Sequence, residues 1–126
     1  MKKGLVFFSF LLILSNLFSQ SFEWAAGMGG YGEDEGNSLT VDAAGNVYTV
    51  GTFEYTADFD PGAGVFELTS NGSTDIFISK LSASGMFMWA IQIGNSYYDF
   101  SRSIALDNNA NVYITGGFSG TMDCDL

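Results

Sequence analysis

The sequence predicts an all-β chain of antiparallel four-stranded units, and three observations lead there. Its composition suits strands and tight turns: 16 glycines, one proline and 16% aromatic residues among 126, with Val, Ile and Thr between the glycines. Ser38-Leu39-Thr40-Val41-Asp42 alternates polar and apolar residues, which is the period-2 pattern of a half-buried strand. Above all, the chain repeats itself at an offset of 65 residues without a gap. Phe22 and Trp24-Ala25 recur as Phe87 and Trp89-Ala90, and Asp34 and Ser38 as Asp99 and Ser103. Asp42 recurs as Asp107, Asn46-Val47-Tyr48 as Asn111-Val112-Tyr113, Gly51 as Gly116 and Phe53 as Phe118. Thr56, Asp58 and Asp60 recur as Thr121, Asp123 and Asp125.

One unit reads as two hairpins. After the strand 38–42, Asp42-Ala43-Ala44-Gly45-Asn46 is a turn: Asp and Asn side chains bond the nearby backbone, and Gly45 accepts positive φ. Val47 to Phe53 is the return strand. A long connection, Glu54 to about Thr74, carries a turn at Asp60-Pro61-Gly62 and a short strand at Val65 to Leu68. Asp75 to Leu81 is the third strand, Ser82-Ala83-Ser84-Gly85 a turn, and Met86 to Ile93 the fourth strand. In the second unit Ala110 replaces Gly45, and the positive-φ position is expected to move to Asn109, since Asn tolerates it.

The third and fourth strands are apolar on both faces, through Ile76, Phe77, Ile78, Phe87 and Trp89. Such strands need cover on both sides. Stacking successive sheets face to face supplies it, as in a propeller blade or a solenoid rung, and hairpin-sized connections favour the propeller. The fold class is therefore all-β: antiparallel four-stranded blades of a β-propeller, incomplete, with fewer than two blades after a signal peptide. The leader is expected at 1–20. Met1-Lys2-Lys3 is basic, Leu5 to Leu17 is apolar, and Ser19 offers a small-residue cleavage point. That run is shorter than the roughly 20 residues a bilayer span needs, so no stable membrane span is expected after cleavage. The repeat region is 21–126, with a first unit at about 22–86 and a truncated second at about 87–126. Because the second copy carries only its first hairpin, the chain reads as the amino-terminal part of a longer array. The alternative is a short product that completes its sheet with another chain.

Ser38 to Phe53, with its echo Ser103 to Phe118, resembles the bacterial SBBP repeat of seven-bladed β-propeller type. Thr74 to Leu81, followed by Gly85 and Trp89-Ala90, resembles the second half of that unit. The resemblance covers essentially the whole chain after the leader. It implies a propeller fold and an exported, secreted or cell-surface setting in bacteria, and it brings no catalytic residues to transfer.

The residues themselves exclude several functions. Without Lys2 and Lys3, only Lys80 and Arg102 oppose 14 acids, a net charge of −12. Such a surface repels phosphate backbones, so nucleic acid is excluded as a partner. There is no histidine, and the single cysteine, Cys124, cannot form an intrachain disulfide. No cofactor is expected, with one exception to weigh: Asp58 and Asp60, echoed by Asp123 and Asp125, place paired carboxylates where calcium takes hard oxygens. The opposing reading is that these Asp residues bond loop amides. Residues that recur are read as structural: Trp24, Asp42, Asn46, Tyr48 and Gly51, with Trp89, Asp107, Asn111, Tyr113 and Gly116. Recurrence assigns the two tryptophans to packing and Asp34 and Asp99 to backbone amides at equivalent turns. The glycine-rich Gly27 to Gly32 reads as an inter-blade turn, since no phosphate-binding motif follows. The expected function is a non-catalytic exported segment serving as scaffold or as a protein- or glycan-binding module. The alternative is a part of a carbohydrate-active propeller enzyme whose active site lies outside these residues.

Overall fold

The computed structural model describes residues 21–122; the leader expected at 1–20, and Asp123 and Asp125, lie outside the described residues. The described chain is all β. Strands run β1 Gly29–Gly30, β2 Glu35–Val41, β3 Val47–Phe53, β4 Thr56–Asp58, β5 Glu67–Thr69, β6 Asp75–Leu81, β7 Phe87–Ile93, β8 Phe100–Leu106 and β9 Val112–Gly117. β2, β3, β6 and β7 form a four-stranded antiparallel sheet in that order, the arrangement of one propeller blade. β8 and β9 form the first hairpin of the next. Among the described residues no helix is long and apolar enough to cross a membrane.

The 65-residue offset relates the β2–β3 hairpin to the β8–β9 hairpin. β2 and β8 carry the same register shift, between Gly36 and Ser38 and between Ser101 and Ser103. Both turns close on the same backbone bonds: Asp42 N to Asn46 O at 3.0 Å, and Asp107 N to Asn111 O at 3.2 Å. One expectation for the second turn is corrected. The left-handed residue is Ala110 itself (φ 60°), not Asn109, matching Gly45 (φ 83°). The closing bonds fix the turn frame, so the residue before Asn111 must adopt positive φ whatever its side chain.

The two faces of the four-stranded sheet are covered differently. Tyr48, Val50, Ile76 and Ile78 project to one face and pack with Trp89, Ile91 and Ile93 against Ile104, Leu106, Val112 and Ile114 of the β8–β9 hairpin. This is the sheet-on-sheet stacking expected of blades. The opposite face buries Phe53, Phe77 and Ala90 against Ala57 and Phe59, with Met28, Leu68 and Phe87 around them. Most of that cover comes from the long β3–β6 connection, through Ala57, Phe59 and Leu68. The connection contributes β4 and β5 to a small sheet in the order β1-β4-β5, with β5 at Glu67–Thr69 rather than Val65 to Leu68, and Gly29-Gly30, in a stretch expected to be a turn, supplies its other edge. Phe59 stacks on Phe77 at 4.8 Å and meets Phe53 edge-on at 5.3 Å. Fully buried aromatics of this kind contribute a large share of a small core.

The stacking is head-to-tail. The hairpin presents Ile104 and Leu106, which are the equivalents of Leu39 and Val41, to the face that carries Tyr48 and Val50. Equivalent residues therefore have opposite exposures: Ile104 is 6% exposed and Leu39 63%, while Tyr48 is 2% and Tyr113 58%.

Candidate functional site

The recurring polar residues form one network, built twice. Asp42 Oδ1 accepts the amides of Ala44 and Asn46, both at 2.9 Å, and Oδ2 accepts Asn46 Nδ2 at 2.8 Å and the Tyr48 hydroxyl at 3.4 Å. Asp107 Oδ1 accepts Asn109 and Asn111 amides at 2.8 and 2.9 Å, and Oδ2 accepts Asn111 Nδ2 at 2.7 Å and the Tyr113 hydroxyl at 3.4 Å. Donation from Asn46 holds the Asp42 carboxyl below its ordinary value, and Asn111 does the same for Asp107. In the first unit a cation completes the group. Lys80 Nζ lies 3.7 Å from Asp42 Oδ2 and 4.7 Å from the Tyr48 ring centre. A hydrogen bond with Tyr48, and the Asp42 charge, hold its ammonium above the ordinary range.

Another set of aspartates ties loops to strand starts. Asp34, Asp75 and Asp99 each accept the amide four residues earlier, from Gly30, Asn71 and Asn95 at 2.6, 3.0 and 2.7 Å. Asp75 and Asp99 are fully buried. Asp75 also accepts Gln92 Nε2 at 2.5 Å and fills the space that a side chain at Gly94 would need. Asp99 accepts Ser119 N at 3.3 Å, and its own amide donates to Thr74 O at 3.0 Å, joining the two units. Asp75 does not recur at the 65-residue offset within the sequence, so repeat logic alone missed it. The signal was an acid beginning an otherwise apolar strand.

Asp58 and Asp60 are turned onto their own loop. Asp58 Oδ1 accepts the amides of Asp60 and Phe66 at 3.0 and 2.8 Å, and Asp60 Oδ1 accepts Gly62 N at 2.8 Å. The Phe66 amide is the main reason the Asp58 carboxyl lies below its ordinary value. Among the described residues no three His, Cys, Asp or Glu side chains are grouped to hold a metal ion. The tryptophans occupy different places. Trp89 meets Tyr48 edge-on at 5.9 Å in the core. Trp24 is half-buried on the β6–β7 turn, where it covers Gly85 and donates from Nε1 to Ala83 O at 3.0 Å. Gly51 and Gly116 lie where strands approach closely: an added Cβ would lie 2.0 Å from Glu35 O and 2.1 Å from Phe100 O respectively.

One recess remains with unengaged polar groups. A hollow of about 340 Å³ at one end of the sheet is lined by Glu33, Asp34, Glu35, Thr52, Glu54, Thr74 and Tyr98. Within it, Asp34 Oδ1 and Thr74 Oγ1 are buried without hydrogen-bond partners among the described residues. Buried polar atoms are rarely left unpaired, which makes this hollow the best candidate for holding a polar ligand. Glu33 and Glu35 have no acidic counterparts at the 65-residue offset, where Tyr98 and Phe100 stand. Nothing local announced that Glu54 and Thr74 fold beside them.

With this geometry in place, the comparisons bear on β7 to β9. Residues 89–116 match the SBBP family, a beta-propeller repeat. The matched stretch spans β7 and the β8–β9 hairpin, the region where one blade stacks on the next. The chain is also 33% identical over 112 residues to an uncharacterized WD repeat-containing protein of Acanthamoeba polyphaga mimivirus. That similarity covers 76% of this chain but only 8% of the viral protein. No solved structure matches the chain significantly. Residues 89–116 are thus similar to a β-propeller repeat in sequence, and the described strands are arranged as such repeats are.

Proposed function

We propose that this chain is a non-catalytic propeller segment of an exported protein, acting as a scaffold that presents a binding site for a protein or glycan. The acidic hollow carries the reading. Its carboxylates accept from sugar hydroxyls or from basic side chains, Tyr98 offers an aromatic face, and the unpaired Thr74 Oγ1 and Asp34 Oδ1 are placed to bond a ligand group. Asp42, Asp58, Asp60 and Asp107 do not suggest an active centre, because each accepts amides of its own turn or loop. The apolar run at Leu5 to Leu17 supports export, and Asp58 and Asp60, which accept amides of their own loop, are assigned to that loop rather than to calcium.

The test is binding of the purified chain to an oligosaccharide array and to immobilised lysine-rich peptides, with product analysis of the same incubations. Retention of an unaltered ligand that is lost in Thr74→Val and Tyr98→Ser supports the module. Hydrolysis of an oligosaccharide moves the chain to the carbohydrate-active alternative. Retention of neither class removes the binding half of the reading.

A further inference from the structure

One polar position differs between the two units in a way the fold does not require, and it lies in the acidic hollow. Asp34 and Asp99 are repeat equivalents, and each uses Oδ2 to accept the amide four residues earlier, from Gly30 at 2.6 Å and Asn95 at 2.7 Å. Asp99 Oδ1 also accepts the Ser119 amide, at 3.3 Å. Glu54 stands at the position equivalent to Ser119, yet Asp34 Oδ1 is buried without a partner among the described residues. The closed copy shows that this turn does not need an open oxygen. The other acids of the hollow, Glu33, Glu35 and Glu54, have no acidic equivalents: Tyr98, Phe100 and Ser119 take their places.

A second group points to the same place. Thr74 is 6% exposed, and its Oγ1 has no hydrogen-bond partner among the described residues. Its backbone is pinned, because it bridges Tyr98 and its carbonyl accepts the Asp99 amide at 3.0 Å. Thr52 is buried as well, whereas Glu33, Glu35 and Tyr98 are exposed. Buried hydroxyls therefore form the floor of the hollow, and carboxylates and a ring its rim.

These groups select a class of ligand. Carboxylates in their ionised form only accept hydrogen bonds, so the hollow is rich in acceptors. A neutral sugar hydroxyl brings an acceptor with every donor, which leaves its own lone pairs unmatched here. A metal ion needs its ligands drawn together, and no three acids of the described residues are so grouped. Spaced acceptors suit a flat cation with several donors. A guanidinium carries five N–H donors in a fixed fork, has no acceptor and stacks on aromatic rings, whereas an ammonium is a compact point charge. The described residues supply no cation to the hollow: Lys80 pairs with Asp42, and Arg102 lies over Phe100, 5.0 Å from its ring centre. We propose that the hollow receives one arginine side chain of a partner protein. Thr74 Oγ1 and Asp34 Oδ1 accept from the guanidinium, and Tyr98 covers its face. This assignment rests on the hollow being the binding site proposed above and narrows its ligand to one residue type.

Backbone-amide NMR of the full chain tests it residue by residue. The probes are the capped peptide acetyl-Gly-Arg-Gly-amide, its lysine and citrulline counterparts, and chitotriose. The arginine peptide should give saturable shifts at Asp34, Thr74 and Tyr98. Citrulline keeps the shape and loses the charge, so its peptide should bind roughly 10-fold more weakly or worse, the range of a lost charge-assisted bond, with lysine between the two. Thr74→Val should weaken the arginine peptide by a similar factor without lowering the melting temperature, since the hydroxyl it removes has no partner in the fold. Binding of chitotriose, or of the lysine or citrulline peptide, at these amides as tightly as arginine would leave the hollow a binding site and overturn its assignment to arginine. So would an unchanged affinity in Thr74→Val. No shift at these amides with any probe up to about 10 mM would overturn both the assignment and the site.

Discussion

If the β8–β9 hairpin is a stacked blade, equivalent residues of the two units must differ sharply in what they contribute. Ile104→Ala and Leu39→Ala test this at one repeat position. Ile104 is 6% exposed and packs against Tyr48, Val50, Ile76 and Ile78. Truncation to Ala removes three carbons, about 2.4 kcal/mol at ~0.8 kcal/mol per buried methylene. The cavity left between two sheets raises the cost to about 3 kcal/mol, within the usual range for such changes. Leu39 is 63% exposed. Only about a third of the transfer term applies, so its truncation costs about 0.5–1 kcal/mol. Urea unfolding followed by tryptophan fluorescence reads the difference. At a slope of about 2 kcal/mol/M, Ile104→Ala lowers the midpoint by about 1.5 M and Leu39→Ala by less than about 0.5 M, with the slope unchanged. Equal shifts for the two variants, or no shift for Ile104→Ala, would refute the stacking.

Further outcomes follow from particular contacts. Ala110→Gly should stabilise the chain by about 1 kcal/mol, because Ala110 holds φ 60° where glycine carries no side-chain penalty; thermal melting checks it. Gly94→Ala should destabilise by about 1–3 kcal/mol, since the new methyl meets the buried Asp75 carboxylate at 2.3 Å, whereas Gly27→Ala, with open space around it, should be neutral. Asp42, Asp58 and Asp107 all have carboxyls held below the ordinary 3.8. Their contribution is fully present above that value and lost as pH falls through the lower folded values, so the melting midpoint should drop below about pH 4, and less steeply in Asp42→Asn/Asp107→Asn. The Lys80 ammonium is held above 10.5, so its contribution should persist to that pH and fade only above it, a step missing in Lys80→Met. Melting with excess calcium and with chelator should give coincident midpoints, and a rise of several degrees with calcium would show that Asp58 and Asp60 bind it.

Much of this fold was legible because the repeat fixed the register. The bounds of β3 and β6 follow directly from apolar alternation between turn residues, and the apolar character of both faces of β6 and β7 required cover. The source of that cover on one side was not legible. β1 is two glycines and β4 three residues, too short for periodicity to register. They become strands only because Phe59 and Ala57 fold back over Phe77. The acidic hollow was hidden for a different reason. Its lining comes from the start of β2 and the loop before it, the end of β3 and the loop after it, Thr74, and Tyr98 at the entry to the next unit, so proximity there is created by folding and leaves no spacing in the sequence.

The repeat also separates two kinds of residue. A polar residue that recurs does the same thing twice where its partners lie within its own turn: Asp42 and Asp107 bond equivalent amides in equivalent geometry. An apolar residue that recurs does not, because its partners lie on a neighbouring sheet. Leu39 and Ile104 share a repeat position and a hydrophobic side chain, yet one faces solvent and the other a core. Recurrence therefore reads as local turn chemistry when the residue is polar and as an interface when it is apolar. The exposed apolar partner of a buried equivalent marks a face shaped to receive another sheet.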